Sequence, residues 1–185
     1  MRGEMATTIE LEAEPLTAEA FAPYGQLIAA RDDAADYAQP LLEVWHLDFR
    51  ADAPVRLQIM RYHEKPMTFS RLERHIRVSE GRIPLAGARA VLAVAGVTGA
   101  APDDMPDPSS VRAFRFDGSC GLLFTPGVWH SLDCFPVAAP YADFVLLSDQ
   151  ATEDEIEAWT SPSSGERTHV IDYAPRGIEF RIIGG

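Results

Sequence analysis

Five histidines are the first candidates for chemistry in this chain: His46, His63, His75, His130 and His169. Two of them stand in distinctive surroundings. One segment reads Glu73-Arg74-His75, then Glu80 after four intervening residues and Gly87 after six more. The other runs from Gly121 through Thr125-Pro126-Gly127-Val128-Trp129-His130. On an extended strand residues 73 and 75 share a face and Arg74 takes the opposite one, so Arg74 is expected to point outward. A hairpin after His75 is expected to bring Glu80 back beside them. Imidazoles among carboxylates can accept and return protons. His46 and His63 lie off these segments, and His169 reads as a structural residue.

Arginines and aromatics form a second set. Arg61 falls in phase with Val55, Leu57 and Ile59, and Arg112 with Phe114 and Phe116, so both are expected on apolar strand faces. A guanidinium placed there needs an anion, either an internal carboxylate or that of a small organic acid held by two parallel bonds. Trp129, beside His130, is expected to wall a pocket or fill the core. Cys120 and Cys134 allow at most one bridge, and neither has an identifiable base to activate it as a nucleophile.

The elements that must position these groups read mostly as strands. Val55, Leu57 and Ile59 alternate with Arg56, Gln58 and Met60, and Ile178, Phe180 and Ile182 alternate near the C-terminus. Ala90 to Val97 is a nearly continuous apolar run, as a strand buried on both faces would be. Val111 to Phe116, Gly121 to Phe124 and Phe144 to Leu147 follow, each ended by a turn residue. Helix signals are few. Thr17 caps a short turn through Phe21, and Thr152 with Glu155 makes a capping box ahead of Ile156 and Trp159. Thr98 to Ser110, with three prolines and three acidic residues, is expected to be a mobile surface loop, and Pro162 to Glu166 a second one. Short strands with minor helices predict an all-β barrel or sandwich.

Composition limits the function classes. The 185 residues fit one domain, 1–185, and a hydrophobic fraction of 46% with 24% charged residues is that of a globular chain. With 28 acidic against 16 basic residues the formal net charge is -12, and no run of Lys or Arg offsets it. Such a chain repels phosphate backbones and anionic membranes, so neither nucleic acid nor membrane is expected as a partner. Met1 to Leu11 lacks a signal-peptide core, and the longest apolar stretch is too short to span a bilayer. A cytoplasmic protein is expected.

The two histidine segments resemble the paired motifs of the cupin superfamily, small jelly-roll barrels with a metal or substrate site inside. There the first motif offers two His one residue apart, then Glu, then Gly, and the second ends in Gly-x-x-His. By that resemblance Glu73, His75, Glu80 and His130 imply a ligand set of two carboxylates and two imidazoles, suited to Mn, Fe, Ni or Zn. The alternative is a polar barrel interior that binds an organic ligand without metal.

A closer resemblance is to the ureidoglycolate lyase family. It rests on Leu72-Glu73-Arg74-His75 with Ile83-Pro84 and Gly87, and on pieces in the same order: Phe21, Tyr24-Gly25, Ile28, His46, Arg61, Arg112-Ala113-Phe114, Val128-Trp129-His130 and Asp143-Phe144. It covers roughly residues 9–150, leaving 151–185 as a C-terminal extension expected to cover an edge strand or serve a dimer contact. The resemblance implies a cupin-like barrel, commonly a homodimer, that splits ureidoglycolate to glyoxylate and urea in allantoin breakdown. The chain departs from that pattern. Glu80 stands in place of Gln, Arg82 in place of Phe, Phe124-Thr125 in place of Tyr-His and Ser131 in place of a second His, and the expected Asp is displaced to Ser148-Asp149. On the lyase reading, His130 or Glu80 is the base and His75 the acid or orienting partner. Arg61 anchors a small anionic substrate, with Arg112 and Trp129 also binding it. Two alternatives stay open: another metal-dependent cupin enzyme, an isomerase or dioxygenase, and a barrel that binds a small acid without turnover.

Overall fold

The structure, a computed structural model, describes residues 7–185. The chain runs through β1 (Thr7–Pro15), a one-turn helix α1 (Ala18–Phe21) and β2 (Gly25–Ile28), then a small hairpin of β3 (Tyr37–Gln39) and β4 (Leu42–Val44). β5 (Val55–His63), β6 (Thr68–Phe69), β7 (Arg71–His75), β8 (Glu80–Pro84) and β9 (Ala90–Ala95) follow. Next come β10 (Arg112–Phe116), β11 (Gly121–Phe124), β12 (Trp129–Ser131) and β13 (Phe135–Pro136). β14 (Tyr141–Asp149) leads into α2 (Gln150–Glu157), and β15 (Thr168–Asp172) and β16 (Ile178–Ile183) come last. The expected all-β architecture is what these strands build.

Nine strands form one sheet in the order β15-β7-β12-β9-β10-β1-β16-β6, with β13 added to β9. Five form the facing sheet, β2-β11-β8-β14-β5. β9 separates two cores. Ala90, Leu92 and Val94 face the five-stranded sheet beside Phe114, Phe124 and Phe144, whereas Val91, Ala93 and Ala95 face a second cluster with Trp129, Tyr173 and Phe180. This is why its sequence is apolar at every position. The nine-stranded sheet curls around that second cluster, so that Tyr173, just past β15, meets Phe180 of β16 edge-on at 5.1 Å. Each fully buried Phe contributes about 1.5–3 kcal/mol of transfer free energy. The extension thus supplies one edge strand of the sheet and the strand next to the other edge: β15 pairs with β7, and β16 pairs parallel with β1 and carries β6 outside it.

Several local expectations are corrected. Thr17 caps α1 as expected, but α2 starts at Gln150 with Asp149 as its cap, accepting from the Thr152 amide at 2.8 Å. Asp149 ends a strand and offers its carboxylate to a helix start, so the Thr152 box falls inside the helix. The Thr98–Ser110 stretch is not a free loop. Thr98 and the carbonyls of Gly99 and Ala101 accept hydrogen bonds from Arg74, and Thr98 also accepts from Trp129. Arg74 accordingly does not face solvent but is 2% exposed, with its guanidinium 4.4 Å above the Trp129 ring. It does point away from Glu73 and His75, yet the loop covers that side of β7. No described helix is long and apolar enough to cross a membrane.

Candidate active site

Glu73 and His75 project from β7 into the space between the sheets, and both are buried. His130, on β12, is the direct cross-strand partner of Glu73. A tight turn places it there. Val128 N–H donates to the Thr125 carbonyl across Pro126-Gly127, and Gly127 adopts φ 88°. Proline then glycine with positive φ is the requirement of a type II turn. The Gly127 amide also donates to the His75 carbonyl at 2.7 Å, tying the turn to β7.

Glu80 does not return on a hairpin beside β7. β8 belongs to the facing sheet, paired with β11 and β14, so residues 76–79 cross between sheets. Glu80 therefore meets His75 across the interior, with Nε2 to Oε2 at 2.9 Å. Two residues along the same strand face, Arg82 donates from Nε to Glu80 Oε1 at 2.5 Å and from Nη1 to Cys134 Sγ at 3.2 Å. His75 Nδ1 meets Thr168 Oγ1 of β15 at 3.0 Å. His130 Nδ1 lies 3.1 Å from the Ser131 carbonyl and 3.8 Å from Glu73 Oε1, while Nε2 lies 3.9 Å from Glu80 Oε2 and has no hydrogen-bond partner. The Phe124 ring stacks on His130 at 4.8 Å.

Burial and charge drive like groups apart. Burial raises Glu73 to about 7, against the pull of His75. Burial works the same way on Glu80, but Arg82, His130 and His75 together hold it well below the usual carboxylate range. Burial depresses both imidazoles. In His75 the hydrogen bond and charge of Glu80 overcome it and raise the pKa, whereas His130 falls to about 3, with Arg82 adding to the loss. Burial also pushes the Cys134 thiol up, so it is no thiolate.

The structure brings together Glu73, His75, Glu80 and His130 but not the other expected site residues. Arg61 is on the outer face of β5, half exposed, and donates twice to Asp143 at 2.7 and 2.8 Å. The expectation that its face is buried is wrong: Val55, Leu57 and Ile59 are 58–68% exposed, and the alternate residue Tyr62 packs inward. Arg112 shares a cross-strand row with His130 through Val94, but Glu14 occupies its fork at 2.8 and 2.5 Å. Trp129 is fully buried in the core on the opposite face of β12 from His130. His46 and His63 are exposed, and buried His169 meets Arg74 through Nδ1.

Sequence reading missed Arg82, Thr168 and Phe124 as partners of the cluster. Arg82 carried a signal, since opposite charges two apart on a strand share a face. Thr168 carried none, because only strand pairing sets it opposite His75. Glu73, His75 and His130 each offer one donor atom within 4.8 Å of the others. One carboxylate and two imidazoles suit a borderline divalent cation. Glu80 is less available as a fourth donor, since Arg82 and His75 take its two oxygens. A cleft of about 250 Å³ is lined by Gln26, Asp48, Arg50, Phe124 and Thr125 among others, and Phe124 is the residue it shares with the surroundings of His130.

Comparison with known proteins gives the family. Residues 8–165 match the family model for ureidoglycolate lyase. The ureidoglycolate lyases of Azotobacter vinelandii and Pseudomonas entomophila are 33% and 35% identical over 130 and 139 residues, covering 65% of this chain and 74% of each relative. That of Stutzerimonas stutzeri is 34% identical, over 65% of this chain and 72% of its own. A solved structure of RmlC from Streptococcus suis aligns with 52% of this chain and 44% of its own, at TM-score 0.33 and 7% identity. With the family model spanning most of its length, the chain belongs to the ureidoglycolate lyase family.

Proposed function

We propose that this protein cleaves ureidoglycolate, or a close ureide of an α-hydroxy acid, to glyoxylate and urea in purine (allantoin) catabolism. The reaction takes the proton from the carbinol hydroxyl, turns that C–O bond into a carbonyl, breaks the C–N bond and protonates the departing urea nitrogen. It needs a base and an acid in different protonation states at one pH. One observation supports the reading above others: two carboxyls and two imidazoles in one buried cluster are driven in opposite directions, and one imidazole nitrogen, His130 Nε2, is unpartnered. Such divergence is how a site assigns acid and base. His130, neutral and donating from Nδ1 to the Ser131 carbonyl, accepts the hydroxyl proton at Nε2. Glu73, near 7, supplies the proton to the urea nitrogen. Glu80 stays ionised and steadies the His130 imidazolium, with His75 orienting it. Arg61, engaged by Asp143 on the outer face, is not assigned the substrate carboxylate.

If Glu73, His75 and His130 held a divalent cation instead, it would polarise the hydroxyl and lower its pKa, in place of the proton-transfer roles given to Glu73 and His130. The test is incubation with ureidoglycolate after chelation, with and without added Mn. Equal yields of glyoxylate and urea are expected. Glyoxylate in neither arm overturns the lyase reading, and activity present only with Mn assigns a cation to the three donors.

The assembly we infer is a cytoplasmic homodimer. Val55, Leu57 and Ile59 form an exposed apolar row on the outer face of the edge strand β5, opposite half-buried Val145 and Leu147 of β14. A second copy of this face covers it in a two-fold pair. Light scattering at micromolar concentration should give twice the chain mass, and Leu57→Glu should give the monomer. A wild-type monomer rejects the assembly.

A further inference from the structure

Thr168 lies beyond the residues matched by the family model, which end at 165, yet it touches the centre of the site. Both Thr168 and His75 are buried, with Oγ1 to Nδ1 at 3.0 Å. The antiparallel register of β15 on β7 sets the two residues directly opposite each other, so the contact follows from the backbone pairing. The strand is itself held at its start. The Glu155 carboxylate of α2 accepts the amides of Glu166 and Thr168 at 2.8 Å and of Arg167 at 3.2 Å. Arg167 donates to Asp149 at 3.0 Å and to Thr152 at 3.2 Å, and its carbonyl accepts from the Ile76 amide at 2.9 Å. One carboxylate thus gathers the turn that delivers Thr168.

The geometry points to Thr168 as a positioning residue for the reaction: its hydroxyl, delivered by β15 and anchored through Glu155, fixes the ring of His75 and so the orientation of Glu80. An imidazole held at one end pivots, but one held at both ends does not. In the neutral ring Nδ1 accepts from the Thr168 hydroxyl and Nε2 donates to Glu80 Oε2 at 2.9 Å; in the charged ring Nδ1 donates to the hydroxyl oxygen and the same two contacts hold. Losing such an outer hydrogen bond typically costs about 10- to 100-fold in activity. The kinetic arm of the test rests on the lyase reading above; the spectroscopic arm does not.

Thr168→Val keeps the shape and removes the hydroxyl, and Thr168→Ser restores it. For Val, kcat should fall about 10- to 100-fold with KM changed little, and Ser should recover most of the loss. In parallel, 15N spectra of the histidine rings, with His75 assigned from His75→Gln, should show altered Nδ1 and Nε2 shifts for His75 in Val but not in Ser. Wild-type kcat with unchanged His75 shifts in Val overturns the proposal. If the wild type makes no glyoxylate, the lyase reading fails and the spectra alone decide the role of Thr168. Should Val not fold, Glu155→Gln decides in its place. It loosens the 166–168 turn without touching His75, and a lower kcat with a shifted His75 signal is expected. No change in either overturns the proposal.

Discussion

Arg61 and Arg82 each grip a carboxylate at close range, Arg61 with two bonds to Asp143 at 2.7 and 2.8 Å and Arg82 with Nε on Glu80 at 2.5 Å. The bonds are alike and the surroundings opposite. Arg61 lies on the outer face of the five-stranded sheet, half exposed and stacked over Tyr141. Arg82 lies on the inner face, its side chain 1% exposed, with Cys134, His130 and the Tyr62 ring around it. Water screens the first pair, so its partners lean little on each other. The second pair has no water to fall back on, and each charge is tolerated only because the other is there. The same chemistry is decoration in one place and a condition of the site's existence in the other.

The largest expected effect comes from breaking the inner pair. Arg82→Met strips the guanidinium from buried Glu80, leaving it only His75, and should destabilise the fold by about 3–5 kcal/mol in urea denaturation. Replacing both partners, Glu80→Gln with Arg82→Phe, restores the residues that the family resemblance implies and removes both charges. The double variant should be close to wild type in stability, so the cycle should show strong coupling. Additive losses would show that the pair is not the unit described here.

A smaller effect sharpens the electrostatic contrast within the cluster. Burial raises Glu73 from 4.5 to about 7, so the folded state holds a proton that the unfolded chain has lost. Its contribution therefore falls as pH rises through that window. His130 is lowered from 6.5 to about 3, so its contribution falls as pH drops below 6.5, and the two slopes oppose each other in the wild type. Glu73→Gln removes only the first slope. The variant should gain on wild type by about 2 kcal/mol between pH 5 and pH 7, at roughly 1 kcal/mol per pH unit. An equal difference at both pH values would mean that Glu73 is not held protonated.

The smallest effect belongs to the outer pair. Arg61→Lys loses the fork but keeps the charge. Since Arg61 faces away from the cluster, KM should stay within about twofold of wild type and the urea midpoint should barely move. A large rise in KM would return Arg61 to the substrate and break the comparison.

Local features were legible from neighbouring residues alone. Alternation put Glu73 and His75 on one face with Arg74 on the other, and the structure keeps that split. Thr17 begins α1, and the apolar run after Ala90 is a strand buried on both faces. Proline and glycine at 126 and 127 make the turn that sets His130. Which face lies inside was set by how the sheets pack. A period of two says that Arg61 goes with Val55, Leu57 and Ile59, and that Arg82 goes with Glu80, but it is the same for a face turned inward and one turned outward. On β5 the apolar face turned out and Tyr62 turned in, whereas on β8 the charged face turned in. Arg74 is buried because a loop 24 residues onward folds over it, and Thr168 reaches His75 because β15 comes back 93 residues later to pair with β7. Contacts across such separations arise from how sheets and edges are paired and covered, a property of the folded chain that no neighbouring residue encodes.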